Sequence, residues 1–368
     1  MKKYLIYILL FCICSLEATE VYLLSSQPSK LITYTLDQIF GRLKEELSVS
    51  LPGKPMCAVQ SRDKQFLYVG IRNSVNKGEK PSGTLMSFSI NEDGSPQKMT
   101  EINLPYEIRY MVLDKTGQHL FFVDYFNGYA VHLEVKNGAV TGKVISKVQT
   151  EVGSHGLQVM PDGRNIFVSQ TKQNRVLHIG LGENTGSLKV LGHEAAPGPE
   201  TENHAPRHIK HHPQLPILYT SNEHKGGISV WKWNAALESL KLLQSETSLP
   251  IDFTGKSTAA DLHIHPNGKF VYVSNRGGKG AASEKGADTL ACYRIDEHSG
   301  KVTLIHHTKV SKRPRSFAIS TSGKYLIVAG QAGKALEVYR INETSGKLVK
   351  TSTTITEGSA NWVELRNR

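Results

Sequence analysis

A turn signal followed by an apolar strand recurs six times along the chain, as "RDKQFLYV", "KTGQHLFFV", "PDGRNIFV", "PQLPILYT", "PNGKFVYV" and "TSGKYLIV". Glycine, proline, asparagine and aspartate mark the turns, and β-branched and aromatic residues mark the strands. The glycine position of these turns is held by Lys64, Gly117, Gly163, Leu215, Gly268 and Gly323, so the unit repeats at intervals of 46 to 55 residues. A short strand precedes each turn, as in "HGLQVM" or "DLHIHP", and a third strand with alternating apolar positions follows, as in "AVHLEV" or "ALEVYRI". A loop, often containing glycine, then leads to a weaker fourth strand such as "SGKVTLI". Four strands per unit joined by short turns describe a propeller blade. A β-sandwich would need six matched turns at near-constant spacing to arise by accident.

The chain ends complete the count. Residues 21–38, "VYLLSSQPSKLITYTLDQ", read as strands two and three of a further blade without its first strand, and "NWVEL" at 361–365 reads as a lone first strand. Joined, they make a seventh blade and close the ring, which removes exposed sheet edges. The expected fold is all-β: a seven-bladed β-propeller of four-stranded blades over residues 19–368, its last blade closed by N- and C-terminal strands.

Strands one and two of a blade form a hairpin, so residues eight before and eight after each turn position lie at the same end. The first set is Met56, Arg109, His155, Arg207, Ala260 and Arg315; the second is Arg72, Tyr125, Thr171, Glu223, Arg276 and Gln331. First strands are innermost in a propeller, so both sets are expected to ring one mouth of the central channel. Five arginines there face one glutamate, with Asp261 one residue along its strand. Crowded guanidinium groups repel unless an anion or carboxylate neutralises them, and arginine grips phosphate or carboxylate through a planar fork. The expectation is a pocket for a small anionic ligand. For individual pairs the alternative is structural, with Arg207–Glu223 and Arg276–Asp261 as ion pairs that tie blades together.

The same ring has a chemical reading. His155 and Glu223 can move protons near neutral pH if the pocket tunes them. Arg207 or Arg276 can stabilise an oxyanion as water attacks an ester carbonyl. No serine lies in a nucleophile-elbow pattern and no cysteine belongs to the ring, so direct attack by water is the expected route. In "RHIKHHP" and "DLHIHP", His208 shares a strand face with Lys210, and His263 with His265. A metal site is one reading of these; neutral histidines hydrogen-bonded between blades is the reading adopted. Neither a metal nor a cofactor is expected. The stretch "GGKGAASEKGAD" after Arg276 lacks the lysine and Ser/Thr ending of a phosphate loop and reads as a flexible insertion beside the pocket.

Composition narrows the partners. The 368 residues are 39% hydrophobic, ample for a large core, and carry a formal charge of +11, which favours anionic partners. No run of basic residues interleaved with aromatics marks a nucleic-acid surface, so none is expected to bind. The start differs from the rest: "MKK" followed by "YLIYILLFCICSL" has the form of a secretory signal peptide over residues 1–18, too short for an ordinary spanning helix. Cys12 and Cys14 follow the bulky Phe11 and Ile13, which do not suit lipid attachment, and both leave with the signal. The expected location is periplasmic or secreted, or cytoplasmic if the start lies further along. After cleavage a monomer without membrane insertion is expected. Cys57 and Cys292 remain, far apart and without framework spacing, and read as two buried thiols rather than a disulfide.

With these residues in view, the chain resembles the seven-bladed lactonase family, which includes the propeller type of bacterial 6-phosphogluconolactonase and the fungal carboxymuconate lactonizing enzymes. The motifs that carry the resemblance are "SHGLQVMPDGR", "PRHIKHHP" with "YTSNE", "ADLHIHPNGKFVYVSNR", "RPRSFAISTSGKYLIVAGQ" and the closing "NWV". The resemblance implies hydrolysis of a sugar-acid lactone without metal. It implies a site on His155, Arg207, Glu223 and Arg276, with support or ligand contacts from His208, Asp261, His263, Arg315 and Gln331. Arg72 and Arg109 are added as substrate-binding candidates from the ring alone. Members of the bacterial type begin at the strand matching "VYLLSS" and work in the cytoplasm, whereas here a signal-like segment precedes it. Two other functions stay open: a cycloisomerase that makes or opens a lactone in a dicarboxylate, and a non-catalytic exported propeller that binds an anionic ligand or envelope component.

Overall fold

Neighbouring blades share their cores, and this sharing shapes the molecule. The computed structural model describes residues 19–75, 78–198, 203–277 and 288–367. The expected signal segment and most of the glycine-rich insertion lie outside these residues. Among the described residues there are 28 strands and no helix, arranged as seven four-stranded antiparallel sheets. Blades 1 to 6 span residues 54–104, 110–149, 154–195, 206–247, 258–309 and 314–355. Blade 7 joins the C-terminal strand Ser359–Asn367 to the first three strands, which end at Ser50, through the antiparallel pairing Trp362↔Leu24 and Glu364↔Tyr22.

Successive side chains point to opposite faces of a strand, so the near-continuous buried runs of the second strands, such as Ile217–Asn222 and Phe270–Arg276, line both faces of each sheet, each blade being covered on both sides by its neighbours. The buried residues accordingly fall into seven clusters, each straddling one blade boundary. Ile217, Tyr219 and Val230 of blade 4 pack on Leu262, Val271 and Val273 of blade 5, for example. Each such aliphatic side chain contributes roughly 1.5–3 kcal/mol through burial. Cys57 and Cys292 are free and buried, as read from the sequence.

The first turns form where expected. Gly117, Gly163, Gly268 and Gly323 sit at φ of 72° to 74° and Lys64 at 63°, the left-handed conformation that closes the hairpin. Leu215 is the exception. It does not adopt that conformation, and the turn is held instead by the His212 ring, whose Nδ1 accepts from the backbone N–H groups of Gln214 and Leu215. The same ring bonds through Nε2 to the carbonyl of Gly268 in blade 5, and His265 reaches Gly323 of blade 6 in the same way. Both histidines therefore bridge blades through hydrogen bonds. No helix of the described residues is long and apolar enough to cross a membrane.

Candidate functional site

In six of the seven blades the first strand breaks its pairing with the second at one place, and in five of these the expected ring residues occupy the break. In blades 1, 3 and 6 the ladder passes over Met56, His155 and Arg315. In blades 4 and 5 two residues, Arg207 with His208 and Ala260 with Asp261, stand opposite a single serine, Ser221 or Ser274. Blade 2 begins its ladder at Tyr110, immediately after Arg109. Blade 7 passes over Asn361. A bulge re-aims the unpaired side chain, so a pleated strand can present a polar group to the central axis without disturbing its apolar faces.

Serines of the second strands lock these bulges. Ser169 Oγ accepts from the backbone of Gly156 at 3.1 Å and donates to the carbonyl of Arg207 in the next blade at 2.5 Å. Ser221 Oγ repeats the pattern one blade on, accepting from the His208 backbone at 3.2 Å and donating to the Ala260 carbonyl at 2.8 Å. Ser274 Oγ accepts from the Asp261 backbone at 3.0 Å. The backbone under Arg207, His208 and Asp261 is thereby tied across the blade boundaries.

Glu223 lies among the cations. Its Oε1 accepts from Arg276 Nη2 at 2.7 Å, and Arg207 Nε is 3.5 Å from the same oxygen. Burial alone would raise the Glu223 pKa, but Arg207 and Arg276 outweigh it and hold the carboxyl down to about 2. Arg207 is almost fully buried, and its Nη1 donates to the Ala260 carbonyl at 2.8 Å. Burial and the repulsion of Arg276 lower its pKa to about 9, which still leaves it charged at neutral pH. Arg315 makes no hydrogen bond or ion pair among the described residues. Burial and then Arg207, Arg276 and Arg109 disfavour its charge, with Glu223 opposing them. Of the two ion pairs given as the structural alternative, Arg207–Glu223 is present and Arg276–Asp261 is not. The two-residue bulge turns Asp261 back towards blade 4, leaving Arg276 to reach Glu223.

One layer deeper, polar side chains form a continuous chain. His208 Nδ1 donates to Asp261 Oδ1 at 2.7 Å, and its Nε2 accepts from Arg207 Nη1 at 3.0 Å. A carboxylate only accepts and a guanidinium only donates, so these two bonds set the tautomer of a neutral ring. Burial and Arg207 push the His208 pKa down to about 3. Asp261 Oδ2 accepts from the Phe317 backbone at 3.2 Å and lies 3.3 Å from His263 Nε2. Burial would raise the Asp261 pKa, but His263 and His208 hold it well below the carboxylate range. Beside this layer, the Trp362 ring of blade 7 lies 5.7 Å from Tyr110 of blade 2 and 6.0 Å from His208 of blade 4, so aromatic rings of three blades meet there.

His155 is buried, with no partner for Nδ1 among the described residues, and its ring lies 5.3 Å from His208 and 5.8 Å from Tyr125. Burial, then the charge of Arg207, keeps it neutral, its pKa well below 6.5. Arg109 stacks on Tyr125 at 4.7 Å and pairs with the fully buried Glu107 at 2.7 Å. Gln331 Nε2 donates to Asn361 Oδ1 at 2.8 Å. Among the described residues Arg72 makes no ion pair of its own and acts on the charges of Lys54 and Glu107. The structure thus gathers His155, Arg109, Arg207, Glu223, Arg276 and Arg315. His208 and Asp261 lie beneath them, and His263 sits beyond Asp261 against the Phe317 ring, away from the arginines. Glu107, Asn361 and Trp362 escaped the sequence reading of the ring, although the closing "NWV" was a usable signal for the last two.

Among the described residues no group of three or more His, Cys, Asp or Glu side chains is arranged to hold a metal ion. Comparison with known proteins agrees with this architecture. A 6-phosphogluconolactonase of Pectobacterium carotovorum subsp. carotovorum is 29% identical over 308 residues, covering 84% of this chain and 87% of its own length. One of Yersinia pestis (strain Pestoides F) is 27% identical over 347 residues, covering 94% and 97%. The solved structure of a periplasmic gluconolactonase of Pseudomonas aeruginosa shares the fold, with a TM-score of 0.81 at 21% identity over 95% of this chain and 98% of its own. The family model described as Lactonase, 7-bladed beta-propeller matches residues 21–365, and the chain belongs to that family.

Proposed function

We propose that the protein hydrolyses a sugar-acid lactone bearing a phosphate or carboxylate, by direct attack of water among the arginines of the channel mouth. The observation that carries this reading is the charge balance. Arg207, Arg276 and Arg315 act on one another with Glu223 as the carboxylate they share; Asp261 also offsets Arg207, and Arg109, which adds to the repulsion, is paired with Glu107. An anionic substrate relieves a repulsion that the fold leaves in place. The relatives named 6-phosphogluconolactonase support the lactone class.

In this reading Arg207 and Arg276 bind the anion and polarise the lactone carbonyl, whose oxygen becomes an alkoxide as water adds. His155 accepts the water proton at its unpartnered Nδ1. Burial and the cations that keep His155 neutral also make it a weak base. Anion binding to them removes part of that repulsion, so the base strengthens once substrate is in place. Collapse of the adduct breaks the ring C–O bond, and the proton on His155 passes to the leaving oxygen, giving the open-chain acid. Glu223, ionised far below neutral pH, is a poor proton acceptor and serves to orient the two arginines.

The signal-like first 18 residues support export, so the proposed substrate is met outside the cytoplasm, and phosphorylated and unphosphorylated lactones form the two arms of the test. Hydrolysis of freshly generated 6-phosphogluconolactone and of gluconolactone is followed against the spontaneous rates, with Arg207→Ala as control. Acceleration of 6-phosphogluconolactone that disappears in Arg207→Ala supports the assignment, whereas acceleration of gluconolactone alone keeps lactone hydrolysis and overturns the need for an anionic group. A folded protein that accelerates neither overturns it.

A further inference from the structure

The bulge of the seventh blade carries neither a charge nor an apolar side chain. Asn361 occupies there the place that His155, Arg207 and Arg315 hold in their own blades. It is 2% exposed. Its Oδ1 is taken by the amide of Gln331, whereas its Nδ2 is buried and has no partner among the described residues. Gln331 is fixed in turn, its backbone N–H donating to the carbonyl of Arg313, two residues before Arg315. The residue after Asn361 is Trp362, whose ring meets that of His208 at 6.0 Å. A buried donor without an acceptor is destabilising, and an apolar residue would avoid that cost.

We infer that Asn361 is a further substrate-contact residue, whose amide reads a hydroxyl of a polyhydroxylated lactone. This rests on the lactonase reading above and deepens it to a substrate class. A phosphate or carboxylate is drawn to the guanidinium groups, where opposite charge holds it. The Gln331–Asn361 pair is neutral, with one amide oriented by the other, and suits an uncharged oxygen instead. A site built this way favours a sugar lactone over the lactone of a dicarboxylate that lacks hydroxyls, because without that hydroxyl the amide stays buried and unpaired. The contact comes from the strand that closes the ring, so the site is complete only when the two chain ends are paired.

The test uses the full chain, with kcat/KM measured on 6-phosphogluconolactone and on its 2-, 3- and 4-deoxy analogues. Asn361→Ala is expected to lower kcat/KM about tenfold on the parent lactone and to have no effect on the one analogue whose missing hydroxyl it reads. A loss of equal size on every analogue, or no loss on the parent, overturns the inference while leaving lactone hydrolysis standing. Wild-type protein that accelerates none of these lactones removes the underlying reading as well. Melting curves monitor folding, and Asn361→Ser, smaller but still polar, carries the same comparison if the alanine variant does not fold.

Discussion

Arg276 of blade 5 and Glu223 of blade 4 pair at 2.7 Å across the boundary between their blades. Each stands at or just beyond the end of a second strand, so the pair links two hairpins at the end where both bulges open. Its energetic meaning depends on what surrounds it. Arg207 approaches the same carboxylate oxygen, and Arg315 acts on the group from blade 6. One carboxylate is thus shared among several cations, and removing it should affect more than one neighbour.

For Glu223→Gln the expected outcome is a pH-dependent loss of stability. The folded carboxyl is held at about 2, below its ordinary 4.5, so its contribution is fully present above pH 4.5 and fades as the pH falls towards 2. Near neutral pH the variant should be less stable by on the order of 3 kcal/mol, as for a partner removed from a buried ion pair. Urea denaturation at a series of pH values checks this. A wild-type advantage that stayed constant from pH 7 down to pH 3 would show that the ion pair is not its source.

His155→Asn should lower kcat by roughly 10²–10⁴-fold and change KM little, because the variant removes a proton acceptor while leaving the arginines in place. The wild-type pH profile carries a second expectation. The neutral ring is the active form and its pKa lies well below 6.5, so kcat/KM should stay flat through pH 6.5 and fall only at more acid pH. A profile that already declined near 6.5 would assign the proton transfer to another group.

Much of this site could be read in the sequence because a hairpin converts spacing into position. Arg207 and Glu223 stand eight residues either side of Leu215, and the strands bring them together even though that turn is built differently from the others. The same logic fails at Asn361. Its partner strand Thr19–Ser26 lies at the other end of the chain, so no turn exists from which to count. Glu107 was hidden because it precedes the first strand of its blade and meets Arg109 through the loop. The alternative Arg276–Asp261 pairing does not form because two residues, not one, leave the ladder in blade 5, a detail of backbone pairing that periodicity does not carry.

Arg315→Ala offers a test in which stability and binding move in opposite directions. The guanidinium lies among Arg207, Arg276 and Arg109 with no hydrogen-bond partner among the described residues, so removing it relieves repulsion. The ligand-free variant should melt about 2 °C higher than wild type, the shift expected for roughly 1 kcal/mol in a chain of this size. Inorganic phosphate should raise the wild-type melting temperature by mass action and raise that of the variant by less. The two scans are run with and without phosphate at constant ionic strength. An equal phosphate shift in both proteins would remove Arg315 from the anion-binding set.

Asp261→Ala probes the layer beneath. The carboxylate accepts from His208 Nδ1 and from the backbone N–H groups of Leu262 and Phe317, the last of which belongs to blade 6. Alanine leaves these donors buried without an acceptor, and each such group costs about 1–3 kcal/mol. It also removes the bond that sets the His208 tautomer, so the Nε2 acceptor that orients Arg207 is no longer fixed. The expected result is a stability loss of at least about 3 kcal/mol. In whatever fraction stays folded, KM should rise as Arg207 loses its orientation. Asp261→Asn separates the two effects. Its Oδ1 can still accept from His208 and from the Leu262 N–H while its amide faces the Phe317 N–H and His263, so it should recover the tautomer control and only part of the stability. Denaturation curves and steady-state kinetics of both variants decide between them. A stable Asp261→Ala protein with unchanged KM would reduce the chain from Arg207 to His263 to a passive packing feature.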